Sequence, residues 1–146
     1  MEYPDRYNGG VKVTEAMTNL IIIGHGGYGS AIKNTLGMLL GETEGVIYVD
    51  FNKEEDLQTL IGKIDDAAAL CDGEALFACD VAGGSPFRQC AIKCIDGQGK
   101  MAVAGLNVAA YCEMVYNLDL PVDELLELGI EVTHSTVARF PDLGKA

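Results

Sequence analysis

Four short runs of β-branched and other apolar residues recur along this chain: LIII at 20–23, VIYVDF at 46–51, ALFAC at 75–79 and MAVA at 101–104. Runs this short and this apolar suit strands covered on both faces. The stretches between them place apolar residues at helical spacing, so the alternation demands an α/β fold on a parallel sheet flanked by helices. Helices are expected over about 30–40, with Ala31, Leu36, Leu39 and Leu40 as core stripe and Gly41 as C-cap. Others follow over about 53–70 behind an Asn52 cap and sharing Leu57, Leu60, Ile61 and Ile64 on one face, from Ser85-Pro86 behind a Ser cap, over 108–116, and over 121–128 ending at Gly129. The tail from residue 130 is open: IEVTHSTV alternates like a strand, yet the same residues could continue a helix.

Residues 1–18 stand outside this pattern. They are polar and mixed, and are read as an extension or the product of an upstream start codon, which leaves 19–146 as a single domain. A chain of 146 residues fits one core, and an apolar content of 49% excludes disordered and fibrous classes. No apolar run approaches the ~20 residues that span a bilayer, and MEYPDRYNGG is too polar for a signal peptide. The protein is expected to be cytoplasmic. Ten basic residues against 22 acidic ones give a net charge of −12, which argues against nucleic acid and against anionic membrane surfaces and favours a basic-faced protein partner.

Five cysteines, an odd number, show no C-x-x-C, and there are only two histidines. Buried, reduced thiols are expected, with no metal and no cofactor. Cys90 and Cys94, four residues apart, would share one helix face.

In a doubly wound sheet of strand order 2-1-3-4, strands one and three are neighbours, and their carboxyl-end loops face each other where such sheets bind ligands. The loop GHGGYG at 24–29 carries His25, and Asp80 ends strand three ahead of Gly83, Gly84 and Ser85. A carboxylate beside an imidazole fixes its tautomer and raises its basicity, leaving the other nitrogen as nucleophile. Glycines around His25, Gly26 among them, keep it open and let backbone N–H groups approach a phosphoryl group. Two helix N-termini, near Ser30 and Ser85, aim positive ends at the same crevice. With a net charge of −12, an incoming phosphoryl group needs local compensation, which those termini and Arg88 can supply. This set of residues suits phosphoryl transfer through phosphohistidine.

Plainer readings compete. A histidine among glycines is often a turn residue, Asp80 alone could cap a helix, and Arg88 could be a solvated side chain. GHGGYG also matches the dinucleotide pattern G-x-G-x-x-G loosely, with Asp50 as the ribose-binding acid. His134 reads as surface or packing. The aromatics, including Tyr28, Phe51 and Tyr111, are too dispersed for a base-stacking platform and read as core.

Three strings taken in order, LIIIGHGGYGS at 20–30, LFACDVAGGSPF at 76–87 and VAGLN at 103–107, resemble the IIA component of the mannose family of the bacterial phosphoenolpyruvate-dependent sugar phosphotransferase system. The resemblance covers about residues 19–130. It implies a phosphohistidine carrier that accepts a phosphoryl group from HPr on His25, with Asp80 as the aspartate bonded to that histidine. Gly83, Gly84 and Ser85 would hold the phosphoryl oxygens. The group would pass to a IIB component for coupled sugar uptake, with membrane IIC and IID components as indirect partners. The implied fold is the doubly wound sheet with a C-terminal antiparallel strand exchanged in a homodimer. Arg88 stands where the family usually has Asn, as in members resembling the N-acetylgalactosamine type, and Val108-Ala109-Ala110 replaces the usual Leu-Pro after Asn107. Two alternatives remain beside it: the phosphotransferase subunit of a dihydroxyacetone kinase, and a non-enzymatic α/β ligand-binding or regulatory domain.

Overall fold

A computed structural model of the chain describes residues 7–8, 11–12, 18–97 and 99–142. Four parallel strands form the central sheet: β1 (Thr18–His25), β2 (Val46–Phe51), β3 (Glu74–Cys79) and β4 (Lys100–Ala104). Their order is β2-β1-β3-β4, the expected 2-1-3-4. Five helices flank them: α1 (Tyr28–Leu40), α2 (Leu57–Ala69), α3 (Ser85–Asp96), α4 (Val108–Val115) and α5 (Val122–Thr136). A small antiparallel hairpin, Tyr7–Asn8 with Val11–Lys12, precedes the sheet; the rest of the expected extension up to residue 17 lies outside the described residues. Thr18, placed in that extension by the sequence, belongs to the sheet instead. It is fully buried, its N–H bonds the Leu118 carbonyl at 3.0 Å, and its hydroxyl bonds the Leu120 carbonyl at 2.7 Å.

Alternation along β1 divides the core. Leu20 and Ile22 pack with Leu36 of α1, Tyr111 and Met114 of α4 and Leu125 of α5. Ile21 and Ile23 pack with Leu60 and Ile64 of α2 and Cys90 of α3. Both faces of the sheet are thereby covered, which is why its strands read as unbroken apolar runs. All five cysteines are free, and Cys90 and Cys94 do share the inner face of α3. The Cys79 thiol beside it, together with burial, pushes the Cys90 thiol well up, so it stays protonated at neutral pH.

Several expected boundaries move, each for a local reason. In α1, Leu36 is buried but Ala31 and Leu39 face solvent; Ile32 packs inward instead. Helix α2 starts behind Asp56, whose carboxylate accepts from the Thr59 N–H at 2.8 Å, and not behind Asn52. Asn52 opens a separate turn in which the Glu55 carboxylate accepts from the Asn52 N–H at 2.7 Å. Gly84 is the N-cap of α3, so Ser85 is the first helical residue, not the cap. Gly41 closes α1 with φ +84° as expected.

The tail, open between strand and helix in the sequence, is helix, and the helix end expected at Gly129 is corrected. Helix α5 runs through Gly129 to Thr136, so IEVTHST is helical, and residues 137–142 hold no strand. Gly129 is a contact residue and not a C-cap: a Cβ there would lie 2.8 Å from Met114 Sδ and 2.9 Å from Leu106 Cδ1. Both are flexible side-chain ends. Gly129→Ala should therefore change stability little, since the helix-propensity gain of about 1 kcal/mol offsets the crowding. Gly129→Leu should cost about 1–3 kcal/mol in urea denaturation, because the α4–α5 contact has no room for the added carbons.

Candidate active site

Parallel pairing sets Ile23 against Cys79 across β1 and β3, and Gly24 against Asp50 across β1 and β2. The chain ends of the three strands therefore meet at one place, and His25 and Asp80, 55 residues apart in sequence, come into contact. His25 Nδ1 lies 2.7 Å from Asp80 Oδ2, the same oxygen accepts the His25 backbone N–H at 2.9 Å, and Oδ1 accepts the Val81 N–H at 2.9 Å. Partial burial pulls the Asp80 pKa up, but these bonds from His25 and Val81 outweigh it and hold the carboxyl below its ordinary value. An ionised carboxylate only accepts, so Nδ1 carries the proton and Nε2 of the neutral ring carries the lone pair.

The imidazole is half exposed, at 48%, against 15% for Asp80. One side of the ring faces Phe51, at a centroid distance of 6.1 Å. The Cε1–Nε2 edge lies on Gly84, where a Cβ would fall 2.4 Å from Cε1 and 3.0 Å from Nε2. That contact is the physical reason for glycine at 84. It also places the free nitrogen against the N-terminus of α3, which no side chain caps and whose first turn carries no acid. Among the described residues the Ser85 hydroxyl and the exposed Arg88 guanidinium have no hydrogen-bond or ion-pair partner.

Two expected contributors are otherwise engaged. Gly26 donates its N–H to the Phe51 carbonyl at 2.7 Å and adopts φ +58°, so it shapes the turn and has no N–H to offer an anion. The N-terminus of α1 is likewise closed: Asp50 accepts the Ser30 N–H at 2.9 Å and the Ser30 hydroxyl through its other oxygen. Asp50 is thus engaged with α1 from β2, which removes the acid a dinucleotide site would need, and of the two termini the α3 one has no carboxylate on it. Phe51 went unrecognised in the sequence because an aromatic at the end of an apolar run reads as core. His134 is exposed on α5. Among the described residues no cluster of three or more potential metal ligands occurs.

The Asp80 bonds define a test. An Asn side chain offers one accepting oxygen and one donating NH2, whereas position 80 meets three N–H groups, so at least one of them faces a donor. Asp80→Asn should slow any reaction at His25 by about tenfold to a hundredfold while keeping the fold. Its effect on stability has a definite sign. The lowered folded-state pKa stabilises the protein above the unfolded value of about 3.9, and that contribution fades as pH falls through the folded value. The stability gap between wild type and Asp80→Asn, read by urea titration, should be full at pH 6 and shrink below about pH 4.

The family model described as PTS system fructose IIA component, EIIA-man, matches residues 19–124. The mannose-specific EIIAB component of the phosphotransferase system of Escherichia coli (strain K12) is 37% identical over 120 residues, covering 79% of this chain and 37% of that protein. The chain thus spans little more than a third of that relative's length. The fructose-specific EIIA component of Bacillus subtilis (strain 168) is 35% identical over 101 residues, 68% of this chain and 69% of that protein. Among solved structures, the mannose/sorbose specific IIA subunit from Enterococcus faecalis superposes with a TM-score of 0.78 at 24% identity, covering 88% of this chain and 98% of that one. The EIIA component from Streptococcus agalactiae gives 0.79 at 23%, covering 85% and 98%. The structural likenesses carry the fold; with the family match and the Bacillus subtilis relative, the chain belongs to the mannose/fructose family of phosphotransferase-system IIA components.

Proposed function

We propose that this chain is a phosphohistidine carrier: His25 Nε2 accepts a phosphoryl group from HPr and gives it to a IIB component, which phosphorylates an incoming sugar. The observation that carries the reading is the 2.7 Å bond between Nδ1 and Asp80, which leaves Nε2 as the free, accessible lone pair beside an uncapped helix terminus. In the forward step Nε2 bonds to phosphorus as the donor's P–N bond breaks. The Nδ1 proton stays in place, and the positive charge that develops on the ring is balanced by ionised Asp80. Backbone N–H groups at Gly83, Gly84 and Ser85, the Ser85 hydroxyl and Arg88 would hold the phosphoryl oxygens.

Relatives carrying the printed names mannose-specific EIIAB and fructose-specific EIIA support the class of partner. The domain over 19–146, action in the cytoplasm and a homodimeric assembly belong to the same reading; no helix among the described residues is long and apolar enough to cross a membrane. The test is direct. The purified chain, incubated with phosphoenolpyruvate, enzyme I and HPr, should take up one phosphate that is labile in acid and stable in base. No uptake under those conditions would overturn the reading.

A further inference from the structure

Tyr28 stands at the start of α1, three residues beyond the nucleophile, and its ring makes a contact that no motif announces. A Cβ built on Gly24 would lie 2.6 Å from Tyr28 Cδ1, 2.7 Å from its Cγ and 2.8 Å from Asp80 Cγ. The ring and the carboxyl carbon thus close on the same bare Cα. At its far end the Tyr28 hydroxyl lies 2.9 Å from the Tyr111 hydroxyl, and Tyr111 is wholly buried on α4.

We propose that Tyr28 is a positioning residue for His25, acting through Gly24 and Asp80 and anchored by Tyr111; the proposal rests on the phosphohistidine reading above. Three N–H groups hold the oxygens of Asp80. The ring is the neighbour of that carboxyl group across Gly24, both within 3 Å of the point where a Cβ would sit. It limits rotation of the carboxylate and keeps water from competing for the oxygen that holds Nδ1. Tyr111 gives the ring one orientation, because a buried hydroxyl without a partner is costly and Tyr28 supplies that partner. Burial pushes the Tyr28 phenol up and the nearby Asp80 charge pushes it further, so it works as a neutral hydroxyl across the physiological range. The pair joins the start of α1, beside the histidine loop, to the buried face of α4.

The test compares Tyr28→Leu, which removes the ring but keeps apolar bulk, with Tyr28→Phe, which keeps the ring and loses the hydroxyl. Two readouts are taken on the full chain: the rate of phosphoryl uptake from phospho-HPr, and the proton NMR signal of His25 Nδ1–H with its solvent exchange in the unphosphorylated protein. Tyr28→Leu should slow uptake by about tenfold and lose the Nδ1–H signal to exchange, at the lower end of what orienting partners of a histidine are worth. Tyr28→Phe, which keeps the ring but loses its hydroxyl bond to Tyr111, should keep the signal with faster exchange than wild type and recover most of the rate. An unchanged Nδ1–H signal in Tyr28→Leu would overturn the proposal, whatever happens to melting temperature. If Tyr28→Leu does not fold, Tyr111→Phe decides, because it leaves the ring in place without its anchor: faster Nδ1–H exchange supports the proposal and unchanged exchange overturns it. Failure of wild-type uptake with these NMR results intact would instead refute the carrier function and leave the positioning role standing.

Discussion

His25→Ala should take up no measurable phosphate from phospho-HPr, a loss of at least about a thousandfold, since the variant has no atom to which phosphorus can bond. The loss should not come from unfolding. The imidazole is half exposed, and deleting it leaves Asp80 with the backbone N–H groups of His25 and Val81, so the stability cost should be about 1 kcal/mol. His134→Ala, on the exposed face of α5, should incorporate phosphate as wild type does. Acid-labile label remaining on His25→Ala would mean a different acceptor and would end the proposed mechanism.

Gly84→Ala should produce the second-largest loss, and by position alone. Gly84 has φ −101° and ψ 170°, an extended conformation open to any residue, so alanine meets no backbone strain there. Its methyl would, however, sit 2.4 Å from His25 Cε1. Either the ring turns away from Asp80 or the α3 terminus withdraws from Nε2. A displacement on the order of 1 Å at reacting atoms costs about a hundredfold in rate, and that is the expected loss in phosphoryl uptake. The melting temperature should fall little. Gly83→Ala keeps its N–H and its added Cβ meets nothing within 4 Å, so it should lose far less than Gly84→Ala. Equal losses at 83 and 84 would show that the N-cap contact is not what places the ring.

The sheet was legible in the sequence because burial on both faces leaves a mark that survives without tertiary information: a run such as LIII has no polar position to misread. The pairing of His25 with Asp80 was legible for the same reason, since the strand order fixes which loops face each other. Helix ends were harder. Asn52 with Glu55 three residues on looks like a helix start, and the two do bond, but they close a turn and the helix begins five residues later behind Asp56. Gly129 looks like a helix end because glycine so often is one; only the proximity of Met114 and Leu106 shows that it makes room for α4. The segment from 130 to 136 carries period 2 and period 3.6 at once, and contacts of Ile130 and Val132 with the α1–α4–α5 core decide between them. At the site, Asp50 could not be assigned because a carboxylate at a strand end serves a helix terminus or a ligand with the same chemistry. The close approaches of Tyr28 to Gly24 and of Gly84 to the His25 ring are steric, and a steric fit leaves no pattern in a linear string.

The separation of 55 positions between the two partners of the dyad also orders events in time. A chain made from its N-terminus onward completes β1, α1 and β2 first, and these already contain the Gly26–Phe51 bridge and the Asp50 cap on Ser30. His25 is therefore held in its turn by neighbours made early, while the carboxylate that selects its tautomer is synthesised later and arrives only when β3 docks beside β1. Until that moment either ring nitrogen can carry the proton. Nε2 becomes chemically distinct from Nδ1 in the step that completes the centre of the sheet, so a nascent or partly unfolded chain holds the histidine without a fixed tautomer.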